Sequence, residues 1–181
     1  MNKSRHWEII VSELEQNNTI SDTEIAPAGI FTSLLADKGF IVTPLKCKAD
    51  NTEIVQIEAE KLLEIATLLK MHKEAQFTLL YSVTGVDHPD RFELVYHLQS
   101  VKLNKQVILK TSIVKNNPEI ESLASVFATA NWHERETYDL LGIKFNNHPD
   151  LRRILLPNDW KGHPLRKDYK MDDERLIWNE R

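Results

Sequence analysis

The sequence predicts an α+β protein: a mixed, mainly antiparallel sheet with helices packed on it, followed by an irregular, extended C-terminal tail. Three observations predict it. Residues 77–114 read as three β-rich stretches broken only by short turns, the pattern of a meander. Amphipathic stretches at helical spacing precede and follow them, which places helices on one face of the sheet. After Gly142 regular periodicity stops, yet large apolar side chains continue.

Each element has its own signal. Trp7, Ile10, Val11 and Leu14 share one face of a short helix that ends by Asn18. Pro27 to Lys38 reads as a second helix, stopped by Gly39. Phe40 to Leu45 and Glu53 to Ile57 read as strands. Ala59 to Met71 is the cleanest amphipathic helix, with Leu62, Ile65, Ala66 and Leu69 at helical spacing. The meander follows as Phe77 to Val86, a turn at Asp87-His88-Pro89-Asp90, then Phe92 to Val101. In that second strand Phe92, Leu94, Tyr96 and Leu98 alternate with Glu93, His97 and Gln99. A turn at Leu103 to Gln106 leads to Val107 to Val114. Asn117-Pro118-Glu119 has helix-start chemistry, Asn as cap and Pro at the first helical position. The helix it opens runs either unbroken to Gly142 or breaks near Ala130, with Asn131 capping a second helix and Glu134 closing a capping box; two helices is the preferred reading. Residues 1–143 then form the α+β domain, and 144–181 form a docking tail that is not an independent domain.

Composition narrows the function. The chain has 181 residues, 41% hydrophobic and 28% charged, with a net charge of −4. That suits one domain and does not suggest a nucleic-acid binder. No apolar run is long enough to cross a bilayer, and Met1 to Glu8 lacks the pattern of a secretory signal. The expectation is a cytoplasm-facing chain that meets a membrane only through partners. Cys47 is the only cysteine, so this chain alone has neither an internal disulfide nor the several thiolates of an iron–sulfur cluster. Lysines flank Cys47 and would lower its thiol pKa; a plain strand-edge position is the simpler reading. None of the five glycines forms a phosphate-cradling loop or a dinucleotide fingerprint.

The chemically unusual stretch is Asn131 to Gly142. On a helix, Leu123, Phe127, Ala130, Tyr138 and Leu141 fall on one stripe, and Glu134 falls in its middle. A carboxylate there is costly unless it is capped, paired or functional. Three readings stay open: a capping box with a local ion-pair network, a buried acid for proton chemistry, and a charge that meets a partner's arginine. Arg135 and Asp139 are spaced to pair along the helix. His133-Glu134 lacks the second histidine of a zinc helix, because position 137 is Thr. His148 and His163 each precede a proline; backbone-bonded turns are the ordinary reading, metal ligation the sharper one. Between Lys144 and Lys170 there are seven Lys or Arg against three Asp, which fits a basic arm on an acidic partner. Arg152-Arg153 and Arg166-Lys167 are the pairs suited to gripping carboxylates.

Three blocks now stand in order: Trp132 to Ile143, His148 to Leu155, and Gly162 to Tyr169. Together they resemble the signature of the 30 kDa, or C, subunit family of respiratory complex I, the NADH–quinone oxidoreductase. The resemblance implies a non-redox subunit of the peripheral arm, with no catalytic, cofactor-binding or metal-binding residue of its own. It implies that FMN, iron–sulfur clusters, NADH and quinone sit in partner subunits, chief among them the large quinone-site subunit. It implies interface or signature roles for Trp132, Glu134, Arg135, Glu136, Asp139, Gly142, His148, Pro149, Arg153, Pro164, Leu165, Arg166, Lys167, Asp168 and Tyr169. The implied place is peripheral, on the cytoplasmic side of the bacterial inner membrane or its thylakoid or plastid equivalent. Many relatives carry a proline near position 128, where this chain has Ala128, and some extend further at the C-terminus. The alternatives are the equivalent subunit of a ferredoxin–plastoquinone oxidoreductase or membrane-bound hydrogenase complex, a free-standing adaptor, and an enzyme using Glu134 or Glu136 with His133.

Overall fold

The structure, a computed structural model, describes residues 25–46 and 52–170. The expected N-terminal helix carrying Trp7 to Leu14, Cys47, and the part of the expected tail beyond Lys170 lie outside the described residues. In chain order the elements are α1 (Ile30–Asp37), β1 (Val42–Leu45), β2 (Glu53–Ile57), a 3₁₀ turn (Ala59–Lys61), α2 (Leu62–Met71), β3 (Leu79–Asp87), β4 (Arg91–Ser100), β5 (Lys105–Val114), β6 (Glu119–Glu121), α3 (Ala130–Leu141) and β7 (Lys144–Asn146). Five strands form one sheet in the order β1-β2-β5-β4-β3. Every pairing in it is antiparallel except β2 with β5. The predicted α+β class and mixed, mainly antiparallel sheet are what the chain adopts.

Alternation sets the faces. Phe92, Leu94, Tyr96 and Leu98 of β4 are essentially fully buried, whereas Glu93, His97 and Gln99 between them are only partly covered. The opposite period appears in α2, where Leu62, Ile65, Ala66 and Leu69 are the buried positions. These are the four residues that helical spacing selects. Together with Phe31, Leu35, Phe77, Leu80 and Leu109 they form one hydrophobic core. Pro44 sits in edge strand β1, the position where a residue without an N–H is tolerated.

Two sequence expectations fail for a tertiary reason. Helix α1 starts at Ile30 rather than at Pro27, because residues before it pair with the sheet edge: the Ala26 N–H donates to Pro44 O at 3.0 Å. Its free N–H groups are capped from a distance, with Phe31 and Thr32 donating to the Glu53 carboxylate at 3.1 Å. The second failure is larger. Asn117-Pro118-Glu119 opens no helix; Glu119–Glu121 is a strand paired parallel to β7, with Ile120 and Phe145 buried in the core. Lys144 Nζ lies 3.0 Å from Glu119 Oε1, and the Lys144 N–H donates to Pro118 O at 2.8 Å. Strand pairing and the burial of two large side chains outweigh a cap signal worth about 1 kcal/mol. Only one helix therefore lies between Pro118 and Gly142, and the two-helix reading is corrected.

Candidate functional site

The chemistry-bearing residues converge on α3. Nothing inside Ala130–Leu141 breaks a helix, and Gly142 ends it at φ 72°, with its N–H on Tyr138 O at 2.8 Å. That left-handed turn is the cap the sequence predicts. The helix buries Glu134, Arg135 and Asp139 and exposes Trp132 and Glu136. Three buried charges on one short helix demand partners, since a buried charge without one is strongly unfavourable.

Asp139 has the densest set. Its Oδ2 accepts the backbone N–H groups of Ile154, Leu155 and Leu156 at 3.0, 2.8 and 2.9 Å. Its Oδ1 accepts from Arg153 Nη1 at 2.6 Å. Burial alone would raise this carboxyl; the three N–H donors and the guanidinium outweigh it and hold the pKa below its ordinary value. Arg153 also donates to Asp139 O, Trp160 O and Gly162 O, so one side chain ties three parts of the chain together. His163 Nδ1 lies 2.9 Å from the same Asp139 carbonyl.

Arginines complete the fastening. Arg135 Nε donates to Arg152 O at 3.2 Å, and its guanidinium lies 5.1 Å from the Trp132 ring centre. Arg166 Nε donates to Leu141 O at 2.5 Å and its guanidinium lies 5.3 Å from the Phe92 ring, while Leu165 N–H reaches Leu140 O. These bonds occupy the carbonyls that a helix C-terminus leaves free. At the far end the Lys167 N–H donates to Asp87 Oδ2 at 2.7 Å, and Lys115 Nζ lies 2.5 Å from Asp87 Oδ1. Burial pushes the Asp87 carboxyl up, but these donors win and its pKa lies below normal.

Glu134 is different. It is fully buried and closes no capping box: Thr129 precedes the helix and spends its hydroxyl on Leu80 O. Instead Ser122 Oγ donates to Glu134 Oε2 at 2.5 Å and the Leu123 N–H to Oε1 at 2.7 Å. Burial pushes this carboxyl up to about 7, against the pull of those two donors. His148 Nε2 lies 3.9 Å from Oε2 and 3.2 Å from Asn131 O. Burial lowers the His148 pKa.

The sequence-selected residues thus separate. Glu134, Arg135, Asp139, Gly142, His148, Arg153 and Arg166 come together at α3 and the segment wrapped on it. The expected Arg135–Asp139 pair does not form, because both side chains turn to tail backbone instead. Arg153 and Arg166, expected to grip a partner, are engaged within the chain. Pro149, Leu165, Lys167 and Asp168 are exposed, with Pro164 and Tyr169 half-buried; a side chain at Gly162 would meet the Tyr169 ring. His148 and His163 both bond to backbone, the ordinary reading of a His–Pro turn. No group of three metal-ligating side chains occurs among the described residues. Sequence reasoning missed Ser122 and Asp87, whose partners lie 12 and 80 positions away and leave no local signal.

Residues 55–175 match the family model described as respiratory-chain NADH dehydrogenase, 30 Kd subunit. The C subunit of the NADH-quinone oxidoreductase of Trichlorobacter lovleyi is 42% identical over 137 residues, covering 73% of this chain and 83% of that protein. The fused C/D subunit of the NADH-quinone oxidoreductase of Escherichia coli O6:K15:H31 is 40% identical over 126 residues, covering 64% of this chain and 21% of the fused protein. A chain in the solved structure of the membrane-bound sulfane sulfur reductase, an archaeal respiratory membrane complex, superposes with a TM-score of 0.64 at 26% identity, covering 78% of this chain and 84% of that one.

Proposed function

The chain belongs to the 30 kDa subunit family of respiratory-chain NADH dehydrogenase, and from that premise we propose that it is a non-redox subunit of the peripheral arm of an NADH–quinone oxidoreductase. It supports assembly of a complex that carries electrons from NADH to quinone and couples this to proton translocation. FMN, the iron–sulfur clusters, NADH and quinone belong to partner subunits in this reading. The chief partner is the large quinone-site subunit, and the C/D fusion in Escherichia coli supports that pairing. Among the described residues no helix is long and apolar enough to cross a membrane. In this reading contact with the bilayer runs through partners, on its cytoplasmic side.

One observation carries the docking part. Trp132, Leu155 and Leu165 are 63%, 59% and 59% exposed. All three are fixed along α3: Trp132 lies on the helix, the Leu155 N–H is held by Asp139, and the Leu165 N–H is held by Leu140 O. Large apolar groups held rigidly in water are anchors for a partner, because little ordering remains to be done on binding. In this reading 144–170 is a docking segment whose charges hold it in shape and whose apolar side chains meet the neighbour.

The test is a mild-detergent purification of the tagged chain from its native cells, with mass spectrometry and NADH–quinone activity on the eluate. Wild type should bring down a large flavin and iron–sulfur complex with NADH activity, and the Trp132→Ala, Leu165→Ala double variant should recover far less. Recovery of the chain alone, with a control subunit of the complex purifying intact, would overturn the reading. The likeness to an archaeal sulfane sulfur reductase chain favours a second setting, a related membrane complex with another electron donor, such as a ferredoxin- or hydrogenase-type complex. A large complex lacking NADH activity would select it.

A further inference from the structure

One buried titratable cluster plays no part in the docking reading. It lies where β4, the turn after β6, the first turns of α3 and the root of the tail meet. From α3 comes Glu134, fully buried. The turn supplies the Ser122 hydroxyl and the Leu123 N–H, both donating to it. The tail root supplies His148, whose side chain has no exposure and whose Nε2 lies 3.9 Å from Glu134 Oε2. Its Nδ1 accepts the Asp150 N–H at 3.0 Å, which leaves the proton on Nε2, directed at Asn131 O. From β4 comes Tyr96, fully buried and close enough for Glu134 to act on its hydroxyl electrostatically. The remaining charges nearby are Arg135 and Asp150, of which Arg135 opposes and Asp150 favours a charged His148.

We propose that Glu134 and His148 form a proton-operated latch at the root of the tail, in which the charge state of Glu134 decides where His148 bonds. With a proton on Glu134, the carboxyl is neutral, Ser122 and Leu123 complete its hydrogen bonds, and His148 Nε2–H stays on Asn131 O, as the structure shows it. When that proton leaves to solvent, the new carboxylate sits buried, two donors short of its capacity, with His148 Nε2–H 3.9 Å from Oε2 as one further donor and the buried Tyr96 hydroxyl, which has no other hydrogen-bond partner among the described residues, as a second. The ring then swings off Asn131 O toward Oε2. His148 Nδ1 holds the Asp150 N–H at 3.0 Å, so a swing of the ring pulls on the backbone that leads directly into Arg152 to Leu156. The movement is therefore transmitted to the segment that Asp139 holds. Burial pushes the Glu134 carboxyl up to about 7 against the pull of its two donors, Ser122 and Leu123, so the proton is retained into the neutral range.

The experiment is NMR on the full-length chain with ¹³C-labelled glutamate carboxyls, titrated from pH 4.5 to 8.5. The resonance missing in Glu134→Gln identifies the site. It should titrate near 7, and the Leu123 amide, the His148 ring and the amides of Ile154 to Leu156 should shift with the same midpoint. Ser122→Ala, which keeps the packing and removes a donor to the carboxylate, should move that shared midpoint upward. A Glu134 midpoint near the ordinary 4.5 would overturn the latch. So would a high midpoint at Glu134 with no matching shift at His148 and the tail, since the coupling is the proposal. The measurement uses the free chain and is independent of which complex the chain serves.

Discussion

Replacing Asp139 with Asn should release the tail from α3 without unfolding the sheet. The side chain of Asp139 is fully buried and that of Arg153 is 15% exposed, so the pair is largely dry. Asn keeps the shape and one acceptor oxygen, but it removes the charge that faces three backbone N–H groups and one guanidinium. Hydrogen bonds to an ionised group are roughly twice as strong as neutral ones. Breaking a buried pair from one side costs roughly 3–5 kcal/mol. An isosteric amide that still accepts belongs at the lower end, so the expected local cost is about 3 kcal/mol, about a hundredfold in the opening equilibrium. Hydrogen exchange of the Ile154, Leu155 and Leu156 amides reads this directly. Their protection should fall by about that factor in Asp139→Asn, while the amides of Leu94 and Leu109 in the sheet hardly change. The pH dependence has a definite sign. A carboxyl whose folded pKa lies below its ordinary 3.8 contributes stability that is complete above that value and is lost as the pH falls through the lower one. Wild-type protection at 154–156 should therefore persist down to about pH 4 and then fail, and the Asn variant should lack that acid limb. Unchanged exchange at these three amides in the variant would refute the assignment of Asp139 as the tail's anchor.

Other substitutions probe neighbouring parts of the same architecture. Glu134→Gln mimics the protonated acid. Glu134 has a folded pKa of about 7 against 4.5, so its contribution is full below 4.5 and is lost as the pH rises through 7. The variant should thus be about 3 kcal/mol more stable than wild type at pH 8.5 and nearly equal at pH 4.5, measured by urea unfolding across that range. Gly142→Ala forces a side chain into the left-handed region, where its Cβ would lie 2.5 Å from the His163 ring and 2.6 Å from Arg166. Backbone strain of about 1–2 kcal/mol should appear as a lower melting temperature, and displacement of Arg166 as faster exchange at Leu165. Gly85→Ala would drive a Cβ into Leu141 Cδ1, where β3 meets α3, and should cost roughly 1–3 kcal/mol in urea unfolding through overpacking alone.

What the sequence discloses and what it hides divide along the range of the interactions. The face of α2, the alternation of β4 and the Gly142 cap are set by residues within a few positions of one another, and all three are legible. Glu134 is legible as a problem, a carboxylate in an apolar stripe, but not as its solution. Ser122 and Leu123 reach it only because β6 pairs with β7 and brings that turn under the helix. The same pairing explains the false helix start at Asn117. A cap signal describes what a segment would do alone, and here a strand formed 25 positions later, Lys144 opposite Glu119, decides the matter. By composition the basic tail is a set of free cations. Charge counting cannot see that Asp139 and the carbonyls at the end of α3 claim Arg153 and Arg166.

That internal use of the arginines changes what a partner meets. With Arg153 and Arg166 turned inward, the exposed cations of the segment are Lys144, Arg152, Lys161, Lys167 and Lys170. Of these, Lys144 already pairs with Glu119 at 3.0 Å and Arg152 with Asp150 at 2.8 Å. Exposed ion pairs contribute at most about 1 kcal/mol each and are screened as the Debye length shrinks from about 10 Å at 0.1 M salt to about 3 Å at 1 M. Rigid aromatic anchors in interface centres carry several times more. Association through this face should accordingly be set by Trp132, Leu155 and Leu165. Raising the salt from about 0.1 to 1 M should slow binding of the purified large subunit while changing its dissociation rate little, as measured by biolayer interferometry. Trp132→Ala should speed dissociation at either salt. Dissociation that is strongly salt-dependent and indifferent to Trp132 would mean that the lysines hold the complex together. The tail would then be a charged arm after all, with its internal fastening serving only to present it.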